Sequence, residues 1–239
     1  MTPLSYRSNV GGGSKDPQLI DSNLKGETMK IRTISATFLA AALVVASMSV
    51  PVFPQSKNSN AVGDVLFTFV GQASLIPSTV VLSQYGYLTY VGGISEFEPI
   101  FNPGPQNEAT ALFTFYSETV RERVTNNGPL QIIDRVGTMT IYLDTSPNGD
   151  FANRESFRDG LPVQTSEFRL QSISDALTGS LTVTSVNTIT SSDFFSLGSH
   201  HFLLGKAGQK FTRTYFGHVN TPGPPAAHIA GFAVGNLKR

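Results

Sequence analysis

The longest run of strand-forming sequence in this chain is Ala109-Thr-Ala-Leu-Phe-Thr-Phe-Tyr-Ser-Glu-Thr-Val-Arg-Glu-Arg-Val-Thr125, which is rich in β-branched and aromatic residues. The segment that follows, Asn126-Asn-Gly-Pro129, has strong turn chemistry and ends the strand. Two further strands are predicted after this turn, at Leu130–Val136 and Thr138–Asp144. A strand, a tight turn and another strand in succession are typical of antiparallel pairing.

The same pattern continues on both sides of this segment. Further strands are predicted at Val65–Val70, Val80–Val91, Glu167–Ser174, Leu181–Thr190, Ser199–Leu204, Lys210–Val219 and Ala227–Val234. We expect Glu167–Ser174 to pair with Leu181–Thr190, and Ser199–Leu204 to pair with Lys210–Val219. No window of helical length has an apolar stripe of period 3.6. The sequence therefore predicts an all-β fold, a single-domain antiparallel β-barrel or β-sandwich of about nine or ten strands.

The N-terminal part has the pattern of a secretory signal peptide at residues 29–55. Lys30 and Arg32 form a basic head, an apolar core follows at 34–50, and small residues come next. An uncleaved membrane anchor is the alternative. Because a signal begins at the initiator, we expect Met29 to be the true start and residues 1–28 to be a disordered or mis-assigned extension. Residues 56–63 are a predicted linker and 64–239 the β domain, which is then secreted or periplasmic and has no stable membrane insertion after cleavage.

Composition removes several classes of function. The chain balances 17 basic against 17 acidic residues, so no basic surface is predicted for nucleic acid. It contains no cysteine, which excludes disulfides, thiolate metal ligands and cysteine nucleophiles. The 17 Phe and 7 Tyr supply a core, while the absence of Trp weakens a lectin hypothesis. The partners left open are an apolar small molecule and an extracellular glycan.

Four residues are candidates for catalysis, and the first is Glu118. If the Glu118 side chain points into a buried interior, on the same face of the strand as Tyr116, it is a buried carboxylate suited to general-base chemistry. The alternative, which we favour, is that the strand runs out into solvent here. Arg121 and Arg123 are expected to share the face opposite Glu118. The candidate catalytic set is Glu118, Tyr116, Arg123 and His218. Serine-nucleophile and nucleotide-binding motifs are absent from the sequence.

The segment 144–155 is rich in oxygen ligands that suit Ca²⁺. Candidate metal ligands are Asp144, Asn148, Asp150 and Asn153. Their spacing does not match an EF-hand loop, and an ordinary loop of Asx turns is the favoured interpretation. The adjacent His200 and His201 point to opposite faces of a strand, so they do not chelate one ion together. No other cofactor is predicted.

One stretch resembles a known group of proteins. Gly137-Thr-Met-Thr-Ile-Tyr-Leu-Asp-Thr-Ser-Pro-Asn-Gly-Asp-Phe151, followed by Ser156-Phe-Arg-Asp-Gly160, is similar to a stretch of uncharacterised exported bacterial all-β proteins, including some that carry PEP-CTERM sorting tails. In those proteins a strand ending in Tyr-x-Asp leads to a Pro/Asn/Asp loop and a Phe-x-Asp-Gly turn. The resemblance implies an exported all-β domain and no particular activity.

These observations favour an exported binding or matrix-associated β module without catalytic activity. One alternative is a small β-barrel cyclase or isomerase, whose site needs only one or two polar groups. The other is a lipocalin-like carrier of an apolar small molecule. A carrier or an enzyme requires an unfilled interior, whereas a structural module requires a filled one.

Overall fold

The computed structural model describes residues 64–76, 79–220 and 224–236. The predicted extension (1–28), signal peptide (29–55) and linker (56–63) lie outside the described residues. The strands are β1 (Asp64–Leu75), β2 (Val81–Val91), β3 (Phe113–Asn127), β4 (Leu130–Leu143), β5 (Leu161–Asp175), β6 (Ser180–Ser192), β7 (Phe195–Leu197), β8 (His200–Phe202), β9 (Lys210–Val219) and β10 (Ala227–Gly235). A single turn of 3-10 helix spans Arg154–Phe157. In this part of the chain, no helix has the length and apolar character needed to cross a membrane.

Eight of these strands close into one barrel. Their order around the barrel is β1-β10-β9-β6-β5-β4-β3-β2, and every neighbouring pair is antiparallel. The β7 and β8 strands form a separate small hairpin. Closure between β1 and β10 satisfies the backbone groups that would otherwise form two sheet edges. The all-β antiparallel prediction is confirmed, and of its two architectures the protein adopts the barrel.

Strand β4 joins two strands that the sequence predicted as separate. Gly137, the residue between the two predicted strands, lies within the ladder opposite Thr119 and Phe168. A Cβ atom at this position would lie 2.1 Å from the carbonyl oxygen of Glu118. Glycine therefore allows β3 and β4 to approach closely, and it does not end the strand.

The predicted pairing of Ser199–Leu204 with Lys210–Val219 is wrong. Strand β8 instead turns back onto β7, while β9 pairs with β6 and β10. The reason lies in the turn before β9, where the amide of Gly208 donates to the carbonyl of Ile189 at 2.8 Å. This bond ties the turn to the end of β6 and leads the chain directly into the β6–β9 ladder. The predicted pairing of the strands now defined as β5 and β6 is observed.

Alternate residues of each strand point into the barrel, and aromatic rings dominate there. The ring centroids of Phe69 and Phe115 lie 5.3 Å apart, those of Phe67 and Phe211 5.7 Å, and those of Phe69 and Tyr215 5.7 Å. All three contacts are edge-on, an arrangement that aromatic pairs favour over face-to-face contact. All five residues are almost completely buried.

Two glycines make room for these rings. Gly71 of β1 and Gly86 of β2 lie directly opposite each other. A Cβ atom on Gly86 would lie 2.1 Å from the carbonyl oxygen of Val70, and one on Gly71 would lie 3.0 Å from Cζ of Phe115. The two strands therefore coil tightly around each other, and the Phe115 ring occupies the space that side chains would take.

The two ends of the barrel are built differently. The long connections 92–112, 144–160 and 193–209 lie at one end, and short hairpin turns join the strands at the other. The long connections add buried apolar side chains to the core, among them Ile94, Ile100 and Leu204. This loop-covered end is therefore filled, and any open space is expected at the hairpin end.

Replacing Gly86 with alanine should destabilise the barrel strongly. The added methyl group collides with backbone atoms, which cannot rotate away, so we expect a loss of about 3 kcal/mol in the free energy of unfolding. The comparison variant is Gly128→Ala, in the β3–β4 turn, where φ is +58° but no atom lies within 4 Å of the new Cβ. There only the left-handed backbone is penalised, by about 1 kcal/mol. Urea denaturation measures both; equal losses would contradict the steric explanation.

Candidate functional site

Tyr116 and Glu118 lie on the outer surface of β3, outside the barrel interior. The Arg158 guanidinium lies 4.5 Å from the Tyr116 ring centroid and 3.6 Å from a Glu118 carboxylate oxygen. The Glu118 side chain is 45% exposed. Burial raises the pKa of the Tyr116 hydroxyl, an effect that the charge of Arg158 partly opposes. Glu118 is thus a surface ion-pair partner, in agreement with the solvated-strand interpretation.

Arg123 also faces outward, because a β-bulge changes the register between Arg121 and Arg123. Arg121 lies opposite Arg135, whereas Arg123 lies opposite Asp134, so the two arginines do not share a face as the alternation predicted. The Arg123 Nε donates to Asp134 at 2.7 Å. Hydrogen bonds from Gln171 and Arg123 lower the pKa of the Asp134 carboxyl.

His218 is remote from the other three candidates. It is exposed on β9, where it pairs with Ser180 of β6 and His228 of β10. Three strands separate β9 from β3 in either direction around the barrel, so the two strands lie on opposite sides. Tyr116 and Glu118 are therefore neighbours, but the four predicted catalytic residues do not form one site.

The four candidate calcium ligands hold their own loop together. Each side chain makes a local hydrogen bond, and most of these form Asx turns. The bonds run from the Ser146 amide to Asp144 (2.8 Å), from Asn148 to Asp159 (2.9 Å), from the Ala152 amide to Asp150 (2.8 Å) and from the Glu155 amide to Asn153 (3.3 Å). Among the described residues, no three His, Cys, Asp or Glu side chains cluster as metal ligands do. The calcium site stays a prediction.

This loop covers a second aromatic cluster on the outside of the barrel. Tyr85, Tyr116 and Phe157 are buried there. The ring centroids of Phe151 and Phe157 lie 5.0 Å apart, and those of Tyr85 and Phe157 lie 5.5 Å apart. The loop is thus held against β2 and β3 by aromatic packing as well as by its hydrogen bonds.

The adjacent Ser199 and His200 do not form a catalytic pair with Glu98. The Glu98 carboxylate and the Ser199 hydroxyl both approach Nδ1 of His200, at 2.7 and 3.4 Å. A nucleophile and an orienting carboxylate must bond to different ring nitrogens for the imidazole to pass a proton between them. This cluster therefore ties the β7–β8 hairpin to the 92–112 connection.

A cavity of about 200 Å³ enters the barrel at the hairpin end. Seven of the eight barrel strands line it, and most of its wall is aliphatic. The apolar lining residues are Ala73, Leu75, Leu82, Ile133, Leu170, Leu181, Val183, Val219, Ala226, Ala227 and Ile229. The polar lining residues are Gln84, Gln131, Arg135, Ser172, Ser174 and Tyr215.

Two of the polar lining residues carry buried atoms without a hydrogen-bond partner. The Nη1 atom of Arg135 and the hydroxyl of Tyr215 are buried without a hydrogen bond of good geometry, although the Gln84 side chain lies close enough to Tyr215 to lower the pKa of its hydroxyl. Arg135 is 9% exposed and Tyr215 only 1%. A buried polar group without a partner costs about 1–3 kcal/mol, so such groups are rare and mark places where a ligand or water completes the bonding.

Arg135 and Tyr215 form the floor of the cavity. A second arginine lies deeper in the barrel, beyond this floor. Arg213, one inward-facing position along β9 from Tyr215, is 1% exposed. Its Nε donates to the Ser185 hydroxyl at 3.3 Å, and its guanidinium lies 4.9 Å from the Phe168 ring centroid. Its Nη2 is buried without a hydrogen-bond partner.

The interior of the barrel therefore carries positive charge. Burial lowers the pKa of the Arg213 guanidinium; burial and then the charge of Arg121 lower the pKa of Arg135. Both groups stay charged at neutral pH, because the ordinary pKa of arginine is far above neutral. Burial raises the pKa of the Tyr215 hydroxyl, which the charge of Arg213 opposes, so Tyr215 is a neutral hydrogen-bond donor.

Sequence reasoning missed Arg135, Tyr215 and Arg213, although the alternation contained a signal. Phe211 and Tyr215 are apolar or aromatic residues at even spacing in the predicted strand Lys210–Val219. Arg213 lies midway between them and must therefore point to the same face. Period-two counting applied to charged residues as well as apolar ones finds it.

Comparison of the chain with protein-family models, with curated proteins and with solved structures finds no match.

Replacing Arg213 with methionine should leave the barrel as stable as the native protein or more stable. A buried charge without a carboxylate has a large desolvation cost, and replacing buried ionic groups with apolar ones of similar volume is often neutral or stabilising by about 1–4 kcal/mol. The matched control is Arg169→Met, an exposed arginine paired with Glu122 at 3.0 Å; its effect should stay below about 1 kcal/mol. Urea denaturation of the full chain measures both. A loss above about 2 kcal/mol in Arg213→Met alone would show that the arginine stabilises the fold.

Proposed function

We propose that this protein is a binding protein that holds an apolar small molecule in the cavity at the hairpin end of its barrel. The observation that carries the proposal is the cavity itself, about 200 Å³ in volume and walled mainly by aliphatic side chains. A dry apolar cavity of about 150 Å³ is large enough to bind benzene. Many ligand pockets are larger, about 300–1,000 Å³, so the expected ligand is a small one, such as a substituted single ring.

The distribution of core residues supports binding over a purely structural role. The loop-covered end is packed with aromatic and aliphatic residues, as a filled module would be. The hairpin end is not filled, although leucine and isoleucine side chains surround it and a larger residue at Ala227 or Ala73 would occupy the space. A matrix-associated module without a ligand has no use for such a cavity.

The cavity lining also favours binding over the isomerase alternative. Glu118, the predicted general base, lies outside the barrel, and no carboxylate side chain is among the described residues that line the cavity. The titratable side chains among the described lining residues are Arg135 and Tyr215, and burial raises the pKa of the Tyr215 hydroxyl, so neither is a ready proton acceptor at neutral pH. The export of the protein remains part of the proposal and rests on the signal-peptide pattern at residues 29–55.

Filling the cavity should abolish binding. The test uses the full chain, benzyl alcohol as the probe and isothermal titration calorimetry as the measurement. In Ala227→Phe the new ring points into the cavity, so we expect the heat of binding to disappear. In Ala230→Phe, on the same strand, the ring points into solvent and binding should be unchanged.

The same variants define the outcome that overturns the proposal. Wild-type protein that binds neither benzyl alcohol nor the related toluene would contradict it. So would equal binding in wild type and Ala227→Phe, because the probe would then occupy another surface. Thermal unfolding of each variant checks that the barrel is intact, and a bound probe should also raise the unfolding temperature, since it binds only the folded state.

A further inference from the structure

The charges inside the barrel are unbalanced. Among the described residues, the buried charged side chains are Arg135, Asp144 and Arg213. Asp144 follows the opposite end of β4, nine residues from Arg135, which is roughly 30 Å along a strand at about 3.3 Å per residue. Neither arginine forms a salt bridge within the described part of the chain. Charged groups of one sign are almost never buried in this way unless something neutralises them.

Three hydrogen-bond donors line the floor of the cavity. Gln84, Arg135 and Tyr215 line the same cavity from β2, β4 and β9. Arg135 and Tyr215 are each more than nine-tenths buried, and each has a polar atom without a protein partner. Each also affects the other's pKa: Tyr215 raises the pKa of Arg135, and Arg135 lowers the pKa of Tyr215. An arginine N–H, a phenol O–H and a side-chain amide are all hydrogen-bond donors, and together they match the oxygens of an anion.

The aliphatic walls of the cavity indicate what kind of molecule carries the anionic group. Above the floor, the cavity is lined by aliphatic side chains from several strands, including Leu82, Val183 and Ile229. A free inorganic anion would lose its hydration against these walls without compensation. A molecule with an anionic head and an apolar body satisfies both parts of the cavity when its head enters first.

We propose that the natural ligand is a small amphiphilic carboxylate, bound head-first with its carboxylate on Arg135 and Tyr215. This inference rests on the proposed function. The carboxylate supplies the negative charge that the interior lacks, and its two oxygens accept hydrogen bonds from Arg135 and Tyr215. Arg213, behind Tyr215, adds positive charge without touching the ligand. The apolar body then lies between the aliphatic walls and points to the mouth of the barrel.

The test compares benzoate with benzyl alcohol, which has the same ring and a neutral head. Calorimetry at pH 7 with the full chain should show benzoate binding at least 10-fold more tightly. Arg135→Met should weaken benzoate binding about 10- to 100-fold, the range expected when a charge-assisted hydrogen bond is lost. The affinity for benzyl alcohol should fall by a smaller factor, because its neutral head loses no charge-assisted hydrogen bond. Arg169→Met, on the outer surface, is the matched control and should leave both affinities unchanged.

Two further variants keep the test decisive if Arg135→Met folds poorly. Arg135→Lys retains the charge and should recover part of the benzoate affinity. Tyr215→Phe removes one oxygen atom and should weaken benzoate about 5-fold, as expected for one hydrogen bond of ordinary strength.

The outcomes separate this inference from the proposed function. Benzoate and benzyl alcohol bound equally, with no effect of the Arg135 and Tyr215 variants, would overturn the carboxylate assignment and leave the binding function intact. No binding of either probe would overturn both. Tighter benzoate binding that is lost in Arg135→Met, and kept in Arg169→Met, is the expected result.

Discussion

The barrel depends on glycines at inward positions where neighbouring backbones come into contact. Gly71 and Gly86 face each other across β1 and β2, and Gly231 of β10 lies opposite Phe69 on the other side of β1. A Cβ atom at any of the three would lie within 2.3 Å of a backbone carbonyl oxygen or of the Tyr215 side chain. These residues let β1 coil against both neighbours, so that the first and last barrel strands meet and the sheet has no open edge.

The space that these glycines leave also divides the barrel interior into two parts. Because the glycines leave space on one side of the barrel, the rings of Phe69 and Phe115 occupy it, and the Phe69 ring contacts Tyr215. Towards the hairpin end the inward residues are shorter, and the space between them is not closed. The aromatic layer therefore forms the base on which Arg213 and Tyr215 rest, and the cavity lies beyond it.

Alternation predicted the fold class and the hairpin of β5 and β6, because strands with one buried face show a period of two. It failed where both faces are buried. Residues 113–117 of β3 are all buried, since the core covers one face and the loop 144–160 covers the other. Tyr116 is buried by the loop on the outer face of the strand. Its burial therefore does not mean that Glu118 points into the barrel. A single strand cannot reveal which of its faces is covered by a distant loop.

Sequence reasoning misses the residues of the cavity floor for a different reason, because it counts the alternation of apolar residues and not that of charged ones. Arg135 and Arg213 reduce the stability of an empty barrel, because their charges are buried without a carboxylate. A methionine or leucine at either position would fill the same space at lower cost. Buried charged residues reduce the stability of a core. They are expected mainly at functional sites, because binding or catalysis there outweighs the loss of stability. Arg121 lies opposite Arg135 in the β3–β4 ladder and places further positive charge beside the mouth, which would attract an anion before it enters. In the binding function proposed above, the charge that destabilises the empty barrel is also the charge that selects and holds the ligand.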